Sequence, residues 1–157
     1  MSRIHVAAFL SLALLAMSAA AQDKPDFSGV WVLNIAKSTL MKQLGDLQKG
    51  VISVEHQDSV FKFSRTFTIG GKDDSISYEL TTDGKEVVGE EGSRKLYSRL
   101  YWDGDALVYV TRIVTPQGDA INVVHYRLAA NGRQLRAEEQ FRGPKLSYDN
   151  VWVLDRQ

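Results

Sequence analysis

The sequence predicts an all-β fold: a single antiparallel meander β-barrel of about 8–10 strands, with a short helix after the first strand. Three observations lead to this prediction. From Gly29 onward, short runs rich in β-branched and aromatic residues recur at a regular spacing. Turn residues separate these runs, and the segments between them are too short for the crossovers that parallel strands need. Closure removes the two exposed edges of such a meander, so a barrel is favoured over an open sheet, with a two-sheet sandwich as the alternative.

The predicted strands send alternate side chains to opposite faces. Within residues 60–67, for example, Phe61, Phe63 and Phe67 fall on one face. The runs are residues 30–35, 51–56, 60–67, 76–80, 86–89, 96–102, 107–114, 121–128, 135–141 and 146–154. The dipeptides typical of type I′ hairpins are Asp83-Gly84, Asp103-Gly104 and Asn131-Gly132, and tight turns are also expected at Gly70-Gly71 and Pro116-Gln117-Gly118.

Residues 38–49 depart from this strand pattern. Four large apolar side chains recur there at helical spacing, and Ser38 or Thr39 is placed to cap a helix. The four are Leu40, Met41, Leu44 and Leu47. The segment therefore predicts a short amphipathic helix, which either forms a lid over one barrel mouth or simply caps the core.

Residues 1–21 have the composition of a secretory signal peptide. Arg3 precedes an apolar run over residues 6–17, and Ala19-x-Ala21 fits the small-residue rule for cleavage. The run is shorter than the ~20 residues that span a bilayer, which argues against an uncleaved anchor. We expect an exported protein, periplasmic or extracellular, in which residues 22–157 form the barrel domain. The mature chain is expected to be monomeric, without a transmembrane segment.

The composition excludes several functional classes. The chain has 19 Lys and Arg residues against 19 Asp and Glu residues, so no nucleic-acid or anionic-membrane partner is predicted. There is no cysteine, which removes a disulfide framework, a thiol nucleophile and cysteine-ligated zinc. Stability must then come from burial of a core and from closure of the sheet.

Gly29 and Trp31 form a Gly-x-Trp motif at the start of the first strand. Gly29 permits a tight bend where the chain enters the barrel, and Trp31 supplies a large apolar plug. The motif resembles the opening of the calycin group, the lipocalins and fatty-acid-binding proteins, and residues 27–38 resemble the start of bacterial exported lipocalin-like domain proteins. The resemblance implies that Arg156 packs over Trp31 and that the barrel carries a small hydrophobic or amphiphilic molecule. The lipocalin Thr-Asp-x-x-Tyr motif and the carboxylate-holding Arg-x-Tyr of fatty-acid-binding proteins are not found.

A cluster of tyrosines and one arginine is the candidate ligand site. If the loop 103–105 pairs Trp102 with Ala106, the side chains of four residues share one face, and a fifth joins them if Leu128 pairs with Leu135. The five are Tyr97, Arg99, Tyr101, Tyr109 and Tyr126. Arginine offers a fork of donors for a polar head group, and tyrosine offers flat apolar walls with a hydroxyl. The alternative is that the cluster forms cross-strand aromatic and cation–π pairs on the outer face.

Metal and catalytic sites are poorly supported. His56 and His125 are the only histidines after residue 21, with Glu138 predicted opposite His125, and neither His-x-His nor His-Glu-x-x-His occurs. We therefore predict structural or surface histidines, no metal, no cofactor and no catalytic residue. A small-ligand carrier is the leading hypothesis. A packed barrel acting as an interaction or structural module of the cell envelope is the second, and an enzyme that uses the lumen is the third.

Overall fold

The computed structural model describes residues 24–157, so the predicted signal peptide, residues 1–21, lies outside the described residues. Ten strands follow one another along the chain. They are β1 (Gly29–Leu33), β2 (Leu47–Gln57), β3 (Val60–Ile69), β4 (Lys72–Thr81), β5 (Val87–Glu91), β6 (Arg94–Asp103), β7 (Ala106–Thr115), β8 (Gly118–Ala129), β9 (Gln134–Arg142) and β10 (Ser147–Arg156). All neighbouring pairs are antiparallel, and the sheet forms a nearly closed barrel, as the sequence predicts.

The order of strands in the sheet is β4-β3-β2-β1-β10-β9-β8-β7-β6-β5. The first strand lies in the middle of this order because β1 pairs with β2 on one side and with β10 on the other; Trp31 lies opposite Ile52 and Arg156. The two terminal strands of the order, β4 and β5, form no ladder with each other in residues 24–157. A bridge between Asp83 and Tyr101 spans the end of this gap.

One half of the barrel interior, which we call the packed half, is filled by side chains. Its members are almost wholly buried: Phe27, Trp31, Phe61, Leu100, Leu107, Leu135 and Leu154. The Trp31 indole N–H donates to the carbonyl of Phe27 at 3.0 Å, and the Arg156 guanidinium lies 4.3 Å from the centre of the Trp31 ring. Gly29 has φ +135°, and a Cβ there would lie 3.3 Å from the Arg156 side chain, so glycine permits this close approach.

His56 belongs to the packed half, so its role there is structural. Its ring lies 5.6 Å from Phe61, 5.8 Å from Trp102 and 6.1 Å from Phe27, and it accepts a hydrogen bond from the Phe27 backbone N–H at 3.4 Å. The Ser28 hydroxyl donates to the His56 carbonyl at 3.1 Å and accepts from the His56 N–H at 2.9 Å. These contacts fix the segment before β1 across the end of the barrel.

The helix predicted over residues 38–49 is wrong. The structure has two 3-10 turns, Ile35–Lys37 and Lys42–Leu44, and β2 already begins at Leu47. Thr39 exchanges two backbone hydrogen bonds with Val151 of β10, at 2.8 and 2.7 Å. The Asn150 side chain accepts the Met41 N–H at 2.7 Å. These tertiary bonds tie Thr39 and Met41 to β10, so no continuous helix forms over residues 38–49, and Leu40 and Leu44 still pack on the core.

The predicted turns differ in outcome. Gly70-Gly71 is a two-residue hairpin loop between Ile69 and Lys72, as predicted, and both glycines have positive φ. Asp83-Gly84 instead lies in the connection between β4 and β5, which do not pair, so it is not a hairpin turn. Among residues 24–157, no helix is long and apolar enough to cross a membrane.

Replacing Trp31 by alanine should destabilise the protein by about 3–5 kcal/mol, since the side chain is fully buried and its loss leaves a large cavity. The free energy of unfolding in urea measures this. Val30→Ala is the matched control on the same strand: Val30 is 37% exposed, and its truncation should cost about 1 kcal/mol or less. Equal losses for the two variants would contradict the assignment of Trp31 as the central plug.

Thr82→Val should destabilise the fold more near pH 7 than in acid. The Thr82 hydroxyl donates to Asp58 at 2.6 Å, and this hydrogen bond is the main cause that lowers the pKa of Asp58 below its usual 3.8. Because the folded-state pKa is the lower one, ionised Asp58 stabilises the fold above about pH 4, and this stabilisation is lost as the pH falls through the lowered pKa. Unfolding at about pH 7 and pH 3 measures the difference; a loss independent of pH would refute it.

Candidate functional site

The other half of the interior contains a cavity of about 290 Å³, which we call the interior cavity. Side chains of the inner faces of β2, β3, β4 and of β7 to β10 line it. Its apolar walls are formed by Ile52, Phe63, Phe67, Val124, Ala137 and Trp152. Phe67 stacks on Trp152 with ring centres 5.0 Å apart. The cavity is therefore an apolar space with aromatic walls.

A second space, of about 580 Å³, lies between β4 and the hairpin of β5 and β6; we call it the side opening. It occupies the gap where the sheet is not closed. Four residues line both spaces: Ile76, Tyr78, Tyr109 and Asn122. The side opening therefore adjoins the interior cavity, with these four side chains between the two spaces.

An aromatic stack crosses the interior beside this gap. Tyr78 of β4 lies between Phe63 of β3 and Tyr109 of β7, with ring centres 4.8 and 5.0 Å apart and rings nearly parallel. Stacking of Tyr78 on Tyr109 thus joins the two sides of the barrel where strand pairing is missing. Because both tyrosines line both spaces, they stand between the side opening and the interior cavity.

Arg65 is the one cationic side chain among the residues that line the interior cavity. It lies on the inner face of β3 between Phe63 and Phe67, with its guanidinium 4.2 Å from the centre of the Phe67 ring. The Arg65 Nη2 donates to Asp74 at 2.7 Å, while the side chain is 19% exposed. The aromatic contact and the ion pair hold the guanidinium in place at the cavity wall.

Glu139 is the anionic side chain of the interior cavity. Its carboxylate accepts three hydrogen bonds from neutral donors: Asn122 Nδ2 at 3.2 Å, Asn150 Nδ2 at 3.0 Å and Trp152 Nε1 at 2.8 Å. Asn150 is buried and also accepts the Met41 N–H, so it links the segment after β1 to the cavity wall. The Glu139 charge is thus solvated by protein dipoles.

Three tyrosines of the cavity, Tyr78, Tyr126 and Tyr148, have a raised pKa and remain uncharged in neutral solution. Burial, reinforced by the phenols of Tyr126 and Tyr109, raises the pKa of Tyr78 well above its usual 10. Burial also raises the pKa of Tyr126, and burial together with the charge of Glu139 raises the pKa of Tyr148 to about 12. These phenols act as neutral hydrogen-bonding groups and not as bases.

Three buried polar atoms at the interior cavity have no hydrogen-bond partner among residues 24–157: Arg65 Nε, Tyr78 Oη and Asn122 Oδ1. The Tyr126 phenol is close enough to Tyr78 to affect its pKa, but no hydrogen bond of good geometry joins the two. Buried polar groups in native proteins are nearly always paired, so three unpaired ones lining a single cavity are notable. The other two unpaired atoms among the described residues, His56 Nε2 and Trp102 Nε1, belong to side chains that do not line this cavity.

The predicted interior positions of Tyr97, Arg99 and Tyr101 are wrong. The β6–β7 loop has two residues, Gly104 and Asp105, and pairs Asp103 with Ala106. The pairing is shifted by one residue from the prediction, which turns these three side chains to the outer face. There the Arg112 guanidinium lies 4.2 Å from the centre of the Tyr97 ring, and Arg99 lies 5.6 Å from that of Tyr101. This is the outer-face cation–π arrangement that the sequence left as the alternative.

Tyr109 and Tyr126, by contrast, lie at the interior cavity. Leu128 pairs with Leu135 as predicted, which puts Tyr126 and Glu139 inside and pairs His125 with Glu138. Glu138 bonds to Arg136 at 2.9 Å, a contact between half-exposed side chains. Within the part of the chain that the structure describes, no group of three or more metal-ligating side chains occurs.

Sequence reasoning missed Arg65, Tyr78 and Asn122. For Arg65 a signal exists: it occupies the alternating position between Phe63 and Phe67, so a charge falls on the apolar face of a strand. No comparable signal marks Asn122, because its face follows from the register of two hairpins.

Replacing Tyr78 by phenylalanine should leave the free energy of unfolding unchanged or raise it by up to about 1 kcal/mol. The hydroxyl is buried without a partner, so its removal abolishes a desolvation cost and keeps the ring stack. The control is Thr111→Val, which removes a buried hydroxyl that bonds to Ser98 at 2.8 Å and should cost about 1 kcal/mol. Equal losses for both variants would show that the Tyr78 hydroxyl is paired.

No family model matches the chain, and no curated protein matches its sequence significantly. Solved structures do match its fold. Human cRBP IV has a TM-score of 0.59 at 16% identity, over 85% of this chain and 99% of that one. Zebrafish ileal bile acid-binding protein, complexed with cholic acid, has a TM-score of 0.56 at 15% identity, over 83% and 98% of the two chains. A fatty acid-binding protein from Drosophila melanogaster brain has a TM-score of 0.54 at 18% identity, over 83% and 99%. At these identities the likeness shows the fold alone, which is that of the calycin-type, fatty-acid-binding-protein-like barrels.

Proposed function

We propose that this protein binds a small hydrophobic or amphiphilic molecule in the interior cavity and acts as its carrier or sequesters it. The observation that carries the proposal is the set of three unpaired polar atoms at a cavity whose walls are mostly apolar and aromatic. Small-molecule sites have this composition: mostly apolar walls with a few converging polar groups. A barrel that acts only through its surface has no need of such a space.

Two further observations support the proposal. The side opening adjoins the interior cavity, which gives a ligand a path that avoids the packed half. Two of the proteins with a similar fold are by name binders of amphiphiles, a bile acid in one case and fatty acids in the other.

We also propose that the protein is exported to the periplasm or the extracellular space as a monomer, with residues 1–21 removed. The composition of that segment and the resemblance of residues 27–38 to exported lipocalin-like proteins of bacteria support this. Intact-mass measurement of the protein recovered from the periplasm or medium tests it. A mass that starts at Gln22 is expected, and a full-length chain retained in the cytoplasm would refute it.

Mass spectrometry of gently purified protein, intact and after solvent extraction, tests for a bound molecule. A small molecule that leaves on extraction is expected. A quantitative test uses the uncharged fluorescent dye Nile red, whose emission rises in apolar surroundings. Wild-type protein should bind it saturably.

Ala137→Phe should weaken dye binding by at least about tenfold, because Ala137 lines the interior cavity and a phenyl ring there fills it. Arg99→Ala on the outer face is the control and should bind as wild type does. Unfolding curves show whether each variant is folded, and Val124→Phe is a second filling variant. Unchanged binding in both filling variants, or loss of binding in Arg99→Ala, would contradict the proposed site.

A further inference from the structure

We propose that the interior cavity selects amphiphiles whose head group is uncharged and carries both a hydrogen-bond donor and an acceptor, such as an alcohol or a carboxamide, in preference to ionised carboxylates. This inference rests on the proposed function and goes further by naming the chemical class of the ligand. Its basis is the charge balance of the cavity and the identity of the three unpaired atoms.

The positive charge of Arg65 is already neutralised. Asp74 binds Arg65 Nη2 at 2.7 Å, so a carboxylate in the cavity would have to compete with a covalently fixed anion. Asp74 is on β4 and its side chain is 60% exposed, outside the set that lines the cavity. Asp74 accepts one of the five guanidinium N–H groups, and the buried Nε–H is among those left without a partner.

The remaining charges around the site disfavour an anion. Glu139 lies in the cavity, and no cationic side chain within residues 24–157 forms a salt bridge with it. The side opening is lined by Glu79, Glu90 and Glu91 against Arg94 alone. A carboxylate would approach through a net negative entrance and come to rest near a second carboxylate, and like charges repel more strongly away from bulk water.

The unpaired atoms of the interior cavity include a hydrogen-bond donor and a hydrogen-bond acceptor. The Asn122 amide is oriented by Glu139: an ionised carboxylate only accepts, so the Asn122 NH₂ must point toward it, which leaves Oδ1 as an unpaired acceptor. Asn122 Oδ1 therefore needs a donor and Arg65 Nε needs an acceptor, while the Tyr78 hydroxyl serves either. An ionised carboxylate has no donor for Asn122, and an ammonium has no acceptor for Arg65. A neutral alcohol or amide has both.

The test compares ligands that share one decyl chain, so that the apolar contribution cancels. Decan-1-ol, decanamide, decanoate and decylammonium compete with Nile red at about pH 8, where an alkyl carboxylic acid is ionised. The alcohol and the amide should bind at least about tenfold more tightly than either ion. Decanoate or decylammonium as the tightest ligand overturns the selectivity and leaves the carrier proposal standing. Failure of every decyl compound to bind overturns the carrier proposal, and this inference with it.

A single substitution beside Arg65 should change the preference of the cavity for neutral over anionic head groups. Asp74→Asn removes the fixed anion from Arg65, so the affinity for decanoate should rise by about tenfold, with little change for decanamide. Asp73→Asn is the matched control: it removes the same charge from the neighbouring residue, whose side chain binds Thr68 at 2.7 Å and not Arg65. An equal gain in decanoate affinity in both variants would indicate a general charge effect. No gain in Asp74→Asn would show that Arg65 does not interact with the head group of the ligand. Either result overturns the proposal.

Discussion

The pairing of β1 with both β2 and β10 is the constraint on which the barrel depends. This five-residue strand joins the first and last parts of the sheet, and its register with β10 covers only Trp31, Val32 and Leu33. So short a ladder is marginal by itself. Trp31 stabilises it from the inner side, since the indole is buried, anchored to the Phe27 carbonyl and covered by Arg156. The packed half is thus organised around the one strand that joins β2 to β10.

The opposite side of the barrel is held differently. Between β4 and β5 there is no ladder in the described chain, and the rings of Tyr78 and Tyr109 meet across the interior instead. Stacked rings can separate and rejoin without breaking backbone hydrogen bonds, so this side is better suited to admit a molecule than any paired side. The division into a packed half and a cavity half therefore follows from where strand pairing ends.

Much of the fold could be predicted from the sequence, because alternation and turn chemistry are local. Gly70-Gly71 gave the correct hairpin, and the pairing of Leu128 with Leu135 placed Tyr126 and Glu139 on the inner face. The β6–β7 hairpin shows the limit. Whether the loop there has two residues or three depends on the conformation of Gly104 and Asp105. A difference of one residue moves every side chain of β6 to the opposite face of the sheet.

The remaining errors have similar physical causes. Leu40 and Leu44 have helical spacing, but the bonds of Thr39 and Met41 to β10 prevent one continuous helix, and a local sequence pattern contains no information on such tertiary bonds. The sequence does not mark Arg65 as an interior residue, because charged residues are mostly exposed. The contacts with Asp74 and Phe67 that stabilise its charge at the cavity wall become evident only when the strands are paired.

The unpaired edges of β4 and β5 have a consequence for behaviour at high concentration. An open strand edge is a template onto which another chain can add its own strand, and proteins commonly prevent this with charged residues. Here β4 carries Asp73, Asp74 and Glu79, and β5 carries Glu90 and Glu91. Two acidic edges repel each other when copies meet edge to edge. Glu79, Glu90 and Glu91, which also line the side opening, therefore oppose fibrous self-association through these edges, so that neutralising them to alter ligand preference also weakens a protection against aggregation.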